Sequence, residues 1–319
     1  MSPVYLGLEI GASLFFVGAA LAALRRGRLP FLELLTAAAF GILLEEGDQL
    51  IFETYHYSAD WVLTIDRAPV VIGLTWALII AGAMRVTDAL GVRRRYAPFV
   101  DAVLAISLDL AFDAIAIRMG LWTWREIGPD QGWFGVPAGN FYAWLFVTLG
   151  FSLMTRWVRA ASTGAPRRDW WQLAAPIAAY GVLLLGLLPF IWLKPLTDDQ
   201  PGGGLGLFVV TLGVFAAIAG WGVWGPDRIA PDGDRTAILE LRLAFVTRIA
   251  IHLFFLGGLA LLALDGTFGA GLPVLLTVAV ILLAAELPLA ALVQRRHSRA
   301  GRPWAAEREA GATAPLRYR

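Results

Sequence analysis

Long apolar runs broken by short polar turns recur from one end of the chain to the other. About 20 apolar residues cross the hydrocarbon core of a bilayer as a helix. On that ruler nine segments qualify: 4–24, 30–46, 67–85, 98–119, 138–158, 171–194, 205–224, 243–264 and 271–294. The second is short and leans on its polar end. The pattern predicts an all-α, polytopic membrane helix bundle of about nine transmembrane helices, with residues 1–294 forming a single domain. Residues 225–241 read as a polar Pro/Gly/Asp loop and 295–319 as a basic, disordered tail.

The polar positions between the runs orient the bundle. Arginines gather in alternate connections, at Arg25, Arg26 and Arg28, at Arg93, Arg94 and Arg95, at Arg167 and Arg168, at Arg228 and Arg235, and again from Arg295 onward. The other connections carry acids, among them Glu46, Asp48, Glu53, Asp60, Glu126, Asp130, Asp198 and Asp265. Basic loops stay in the cytoplasm, so the N-terminus is expected outside, the tail in the cytoplasm, and the protein in a bacterial inner (plasma) membrane. No Lys or Arg precedes residues 4–24. A secretory signal has a positive leading region, so this segment reads as a retained helix.

A spacing repeats. Glu45 precedes Pro69 by 24 residues, as Asp113 precedes Pro137, and Trp76 and Trp144 each follow their proline by seven. Aromatic clusters fill both intervals: Phe52, Tyr55, Tyr57 and Trp61 in one, Trp122, Trp124 and Trp133 in the other. The offsets predict a parallel repeat of a helical hairpin over 30–85 and 98–158, a device common in membrane proteins. Glu45 and Asp113 would then occupy equivalent places near the outer face.

Composition narrows the chemistry. The 319 residues are 58% hydrophobic and only 16% charged, well below the roughly one-quarter charged of a soluble domain. With no Cys, the chain has no disulfide, thiolate nucleophile or cysteine-ligated metal. The three histidines, His56, His252 and His297, are far apart, so no metal site and no cofactor is expected. Gly202, Gly203 and Gly204 follow no strand and lack the Lys-Ser/Thr of a phosphate loop, so they read as a turn. Nothing points to nucleic acid; the expected partners are membrane lipids and a lipid-soluble ligand.

Ionisable side chains at membrane depth are costly and mark function by default. Asp101, Asp109 and Asp113 are eight and four residues apart, on one helix face. That face must point into the bundle. Glu45 is the one acid of its cluster expected to turn inward. Asn140 either caps its helix or orients a carboxyl. Glu9 lies between Gly7 and Gly11, a small-residue pair expected to pack against another helix. Arg248 and Glu286 are expected to form an ion pair. A buried carboxyl that stays protonated can act as a general acid, and aromatic faces stabilise a carbocation. Together these suit protonation of an isoprenoid double bond, with a second acid activating water.

Three runs carry a resemblance: Leu108 to Asp113; Gly120-Leu121-Trp122-Thr123-Trp124; and Gly132-Trp133-Phe134-Gly135-Val136-Pro137, continuing to Asn140 and Trp144. They resemble the integral-membrane carotenoid-biosynthesis family, which includes carotenoid hydratases of the bisanhydrobacterioruberin hydratase type. Its pattern is an Asp-rich helix, a Gly-Phe/Leu-Trp turn, an aromatic pair before Gly-Val-Pro, and Asn-Tyr/Phe before Trp. This chain departs from it in two places. It lacks the Thr-Gly-x-Pro-Phe-Gly type of segment in the earlier stretch, and it has Ala114 where the family has proline. The resemblance implies addition of water to the terminal double bond of an acyclic carotenoid. Asp109 or Asp113 would be the acid, Glu45 its partner and Asn140 a positioning group, with Trp122, Trp124, Trp133, Phe134, Tyr55, Tyr57 and Trp144 around the substrate. A membrane terpene cyclase, or a non-catalytic isoprenoid-binding or transport protein, are the alternative readings.

Overall fold

A computed structural model describes residues 3–226, 229 and 235–300. Among these residues nine α-helices form: α1 (Pro3–Arg26), α2 (Arg28–Gly47), α3 (Val70–Ala89), α4 (Ala97–Arg118), α5 (Ala138–Ser162), α6 (Ala175–Thr197), α7 (Leu205–Trp224), α8 (Arg235–Leu264) and α9 (Leu272–Ala300). In lipid every backbone polar group must be satisfied within its own segment, and the helix does this. Seven helices, counting the 3₁₀ turn Pro166–Ala174 with α6, are long and apolar enough to cross a membrane. The chain is a multi-pass helical membrane protein.

The remaining two helices, α2 and α4, carry three carboxyls each. Glu33, Glu45 and Glu46 lie on α2, and Asp101, Asp109 and Asp113 on α4. Neighbours shield both from lipid: α4 packs against α3, α5, α7, α8 and α9, and α2 against α1, α3, α6 and the 3₁₀ turn. Large apolar side chains turn outward instead on the peripheral helices, such as Leu14 and Val17 on α1 and Ile177 and Trp192 on α6. Close approach of α2 to α3 depends on glycine. A Cβ on Gly41 would stand 2.7 Å from the Cβ of Trp76 and 2.9 Å from the Cα of Gly73.

An ionic layer closes one end of the bundle. Glu33 bonds Arg159 (2.6 Å) and Arg85 (3.1 Å), and Asp88 bonds Arg156 (2.5 Å) and Arg159 (2.8 Å). Asp101 joins it through Arg156 (2.9 Å), and Glu240 through Arg85 (3.0 Å) and Arg26 (2.7 Å). Asp101 is therefore a structural partner and lies apart from Asp109 and Asp113. The expected pair of Arg248 with Glu286 is present at 2.6 Å, and Arg248 also donates to the Leu104 carbonyl (2.9 Å).

Several boundaries differ from the sequence expectation. Helix three starts at Val70 rather than 67, because Pro69 is its extended N-cap. Residues 171–174 belong to the 3₁₀ turn, helix eight begins at Arg235, and α9 runs on to Ala300. The rest of the expected tail, 301–319, lies outside the described residues. The larger difference is that the fold is not wholly helical. At the end opposite the ionic layer, β1 (Tyr55–Tyr57) pairs antiparallel with β4 (Trp122–Trp124), and β2 (Thr64–Ile65) with β3 (Ala68–Pro69). Glu46 holds the second hairpin to the end of α2, accepting from the Arg67 and Ala68 amides at 3.0 and 2.7 Å.

Candidate active site

The two strands that pair come from the two intervals with matching spacing. Tyr55 stands opposite Trp124, and Tyr57 opposite Trp122. Alternate residues of a strand share a face, so the two tyrosines and two tryptophans form one aromatic surface. Its edge-to-face contacts are Tyr55–Trp124 at 4.9 Å and Tyr57–Trp122 at 6.0 Å. This surface roofs a cavity of about 560 Å³ between the helices.

Glu45, at the end of α2, lines the cavity and is saturated with donors. Trp76 Nε1 donates to Oε1 at 2.6 Å, and the Tyr57 hydroxyl to Oε2 at 2.5 Å. The Tyr55 hydroxyl also donates to Oε2. Burial, and then the adjacent Glu45 charge, push both phenols well above the ordinary tyrosine range, which keeps them as donors.

Asp109 and Asp113 lie one turn apart on α4 and line the same cavity. Asn140 Nδ2, in the first turn of α5, donates to Asp113 Oδ2 at 2.6 Å and to Asp109 Oδ2 at 3.2 Å. Trp122 Nε1 donates to Asp113 Oδ1 at 2.8 Å. Asn140 is thus a bridge between two carboxyls; the cap position belongs to Pro137. Asp109 Oδ1 and Trp124 Nε1 are buried and, among the described residues, have no hydrogen-bond partner. Among the described residues no cation bonds either aspartate: Arg118 donates to the Pro129 carbonyl (2.6 Å) instead.

Two pairs of residues 68 positions apart have similar local settings. Pro69 and Pro137 are both extended N-caps, of α3 and α5. Trp76 and Trp144, nearly two turns beyond their helix starts, meet with ring centroids 4.2 Å apart. The positions equivalent to Asp109 and Asp113 are Gly41 and Glu45, and the one equivalent to Asn140 is Ile72. The first hairpin therefore supplies one acid, and the second supplies two acids and their amide.

Of the residues singled out from sequence, Glu45, Tyr55, Tyr57, Asp109, Asp113, Trp122, Trp124, Asn140 and Trp144 meet in this cavity. Trp133 and Phe134 do not. Trp133 Nε1 donates to the Leu110 carbonyl (2.9 Å), tying the loop to α4. Phe134, at φ 51°, packs on Phe268 and leans on Gly271. Both act as loop anchors. Glu9 is another correction: it accepts the Val62 amide at 2.8 Å, and a Cβ on Gly7 or Gly11 would meet nothing within 4 Å. These glycines border the cavity rather than a packed helix. Sequence reading missed Trp76 as a carboxylate donor, although its match with Trp144 marked the position. It also missed Asp48, Thr54 and Tyr180 at the cavity edge.

No curated protein and no solved structure is significantly similar to the chain. Residues 7–193 match the family described as carotenoid biosynthesis protein. That match takes in most of α1, α2 to α5, most of α6, and every polar residue lining the cavity except Thr247. It also implies a lipid-soluble isoprenoid substrate. The chain belongs to the carotenoid biosynthesis protein family, as a multi-pass membrane member with a role in making carotenoids.

Proposed function

We propose that this protein is a hydratase of the bacterial inner membrane that adds water to the terminal double bond of an acyclic carotenoid or related isoprenoid. The observation that carries the reading is the shared amide: Asn140 holds Asp109 and Asp113 together, without a cation, in the apolar cavity that also contains Glu45. Two adjacent carboxyls in such a place cannot both carry charge, so one holds a proton. Three donors meet Glu45 and favour its carboxylate form, the form that can take up a proton.

The aspartate pair gives its proton to the less substituted carbon of the double bond. The π pair becomes a C–H bond, leaving a cation on the dimethyl carbon. Indole faces such as those of Trp122 and Trp144 stabilise it. Water adds through oxygen, and its surplus proton passes to Glu45. Return of that proton to the aspartate pair restores the site. One water is consumed and no oxidant or reductant is needed. Asn140 and Trp122 position the acid. The N-terminus lies outside and the arginine-rich end faces the cytoplasm, so water reaches the site from the strand-bearing side.

Pigments of a lycopene-producing bacterium expressing this chain, beside its Asp113→Asn variant, test the reading. A more polar product heavier by one water, absent with the variant, is expected. An isomer of unchanged mass would favour a cyclase and overturn hydration. Unchanged pigments from both, with protein present in the membrane, would do the same for this substrate class.

A further inference from the structure

The cavity is larger than an acid site requires, and its walls differ on two sides. One side is built from α1, α3 and α8, which pack on one another, with Gly7, Gly11, Ala12, Leu78, Thr247 and Ala250 among its lining. The other is built from α2, α5 and α6. There Asp48 accepts from the exposed Thr54 hydroxyl at 2.7 Å, close to Tyr180. A hydrocarbon chain laid on this second side would strip water from a carboxylate and two hydroxyls, a cost of several kcal/mol when no hydrogen bond replaces it. On the first side Thr247 is already buried and the Thr75 hydroxyl donates to the Val71 carbonyl at 2.8 Å, so the penalty is smaller.

The first side is also the longer. Leu78 and Thr247 border a second, smaller cavity of about 40 Å³, lined by Ala19, Leu243 and Ala244 and closed by the Arg85–Glu240 pair of the ionic layer. From Gly7 to Ala19 is about 18 Å at the helical rise, more than half of the roughly 30 Å hydrocarbon core. Gly7 is exposed on the outer face of α1, and side chains there or at Gly11 would enter open space. Asp109, whose buried Oδ1 has no hydrogen-bond partner among the described residues, lines the same cavity.

We propose that the groove between α1, α3 and α8 holds the polyene, which slides in from the lipid past Gly7 and Gly11, and that the Asp48–Thr54–Tyr180 side supplies water. The inference deepens the hydratase reading and rests on it for the identity of the substrate. Gly7 and Gly11 are then specificity residues: their missing side chains give the chain its width.

Because the protein has no cysteine, an introduced thiol is unique. In nanodiscs, G11C and I191C would each be labelled with a maleimide, with and without lycopene. Ile191 lines the α6 side and is half exposed. Lycopene is expected to slow labelling of G11C at least about fivefold and to leave I191C unchanged. Protection of I191C alone, of both, or of neither overturns the groove assignment. Binding is read here without turnover, so a protein that fails to hydrate lycopene but protects G11C refutes the hydratase and leaves the groove standing. As a second variant, Gly11→Leu is expected to abolish conversion of a C40 substrate while sparing a short acyclic isoprenoid. Equal loss of both would contradict a chain-width role.

Discussion

Asn140→Ala removes the one group that touches both aspartates. The bond to Asp113 at 2.6 Å is short, and that to Asp109 at 3.2 Å is at the weak end of the range. Hydrogen bonds to charged groups contribute about 1.5–3 kcal/mol and neutral ones about 1. One strong and one weak bond together come to roughly 2–4 kcal/mol. If that is spent on holding the acid toward the substrate, conversion falls about 30- to 1000-fold. The same bonds tie α4 to α5, so some stability goes with them: Asp109, with Oδ1 already unpartnered, would have no donor left. Conversion should therefore be normalised to folded protein, by pigment turnover in membranes beside thermal unfolding in detergent. Asn140→Gln keeps the amide but moves it by one methylene, and is expected to recover part of the activity. Conversion by folded Asn140→Ala within about threefold of the unaltered protein would refute the positioning role.

Other outcomes follow from the same geometry. Replacing Tyr55 and Tyr57 together by Phe leaves Glu45 with Trp76 alone and is expected to lower turnover more than about tenfold; the single variants should lose less. Arg248→Met leaves Glu286 inside the bundle with only His252, at 3.4 Å, beside it, a loss of about 3–5 kcal/mol, read as a fall in unfolding temperature. Adding Glu286→Leu to it should restore most of that stability, since a buried pair is often replaceable by apolar groups. Phe134→Ala should weaken the loop that leans on Phe268 and Gly271 while leaving the product unchanged in identity.

The apolar runs and their flanking charges made the helices readable, since length and hydrophobicity decide what crosses a membrane. The depth of Asp109, Asp113 and Glu45, and the spacing from acid to proline to tryptophan, pointed to the residues that line the cavity. The strands escaped reading. Tyr55–Tyr57 and Trp122–Trp124 are three residues each, too short for a periodic pattern, and pair only because the ends of α2 and α4 bring them together. Trp133 and Phe134 misled for a related reason: their spacing fits the family motif, but a positive φ at Phe134 turns its ring away from the cavity toward helix nine. Gly7 and Gly11 have the spacing of a packing face, yet no helix covers them. Sequence periodicity reports which residues share a face, and tertiary structure decides what that face meets.

The central claim is that a proton and then a water molecule add across one double bond. Membranes containing the protein would be supplied with an acyclic carotenoid in heavy-oxygen water and, separately, in deuterium oxide. The account predicts one solvent oxygen in the product hydroxyl and one solvent deuterium fixed on the neighbouring carbon, both lost with Asp113→Asn. A hydroxyl oxygen drawn from dioxygen, or a product without carbon-bound deuterium, would contradict it.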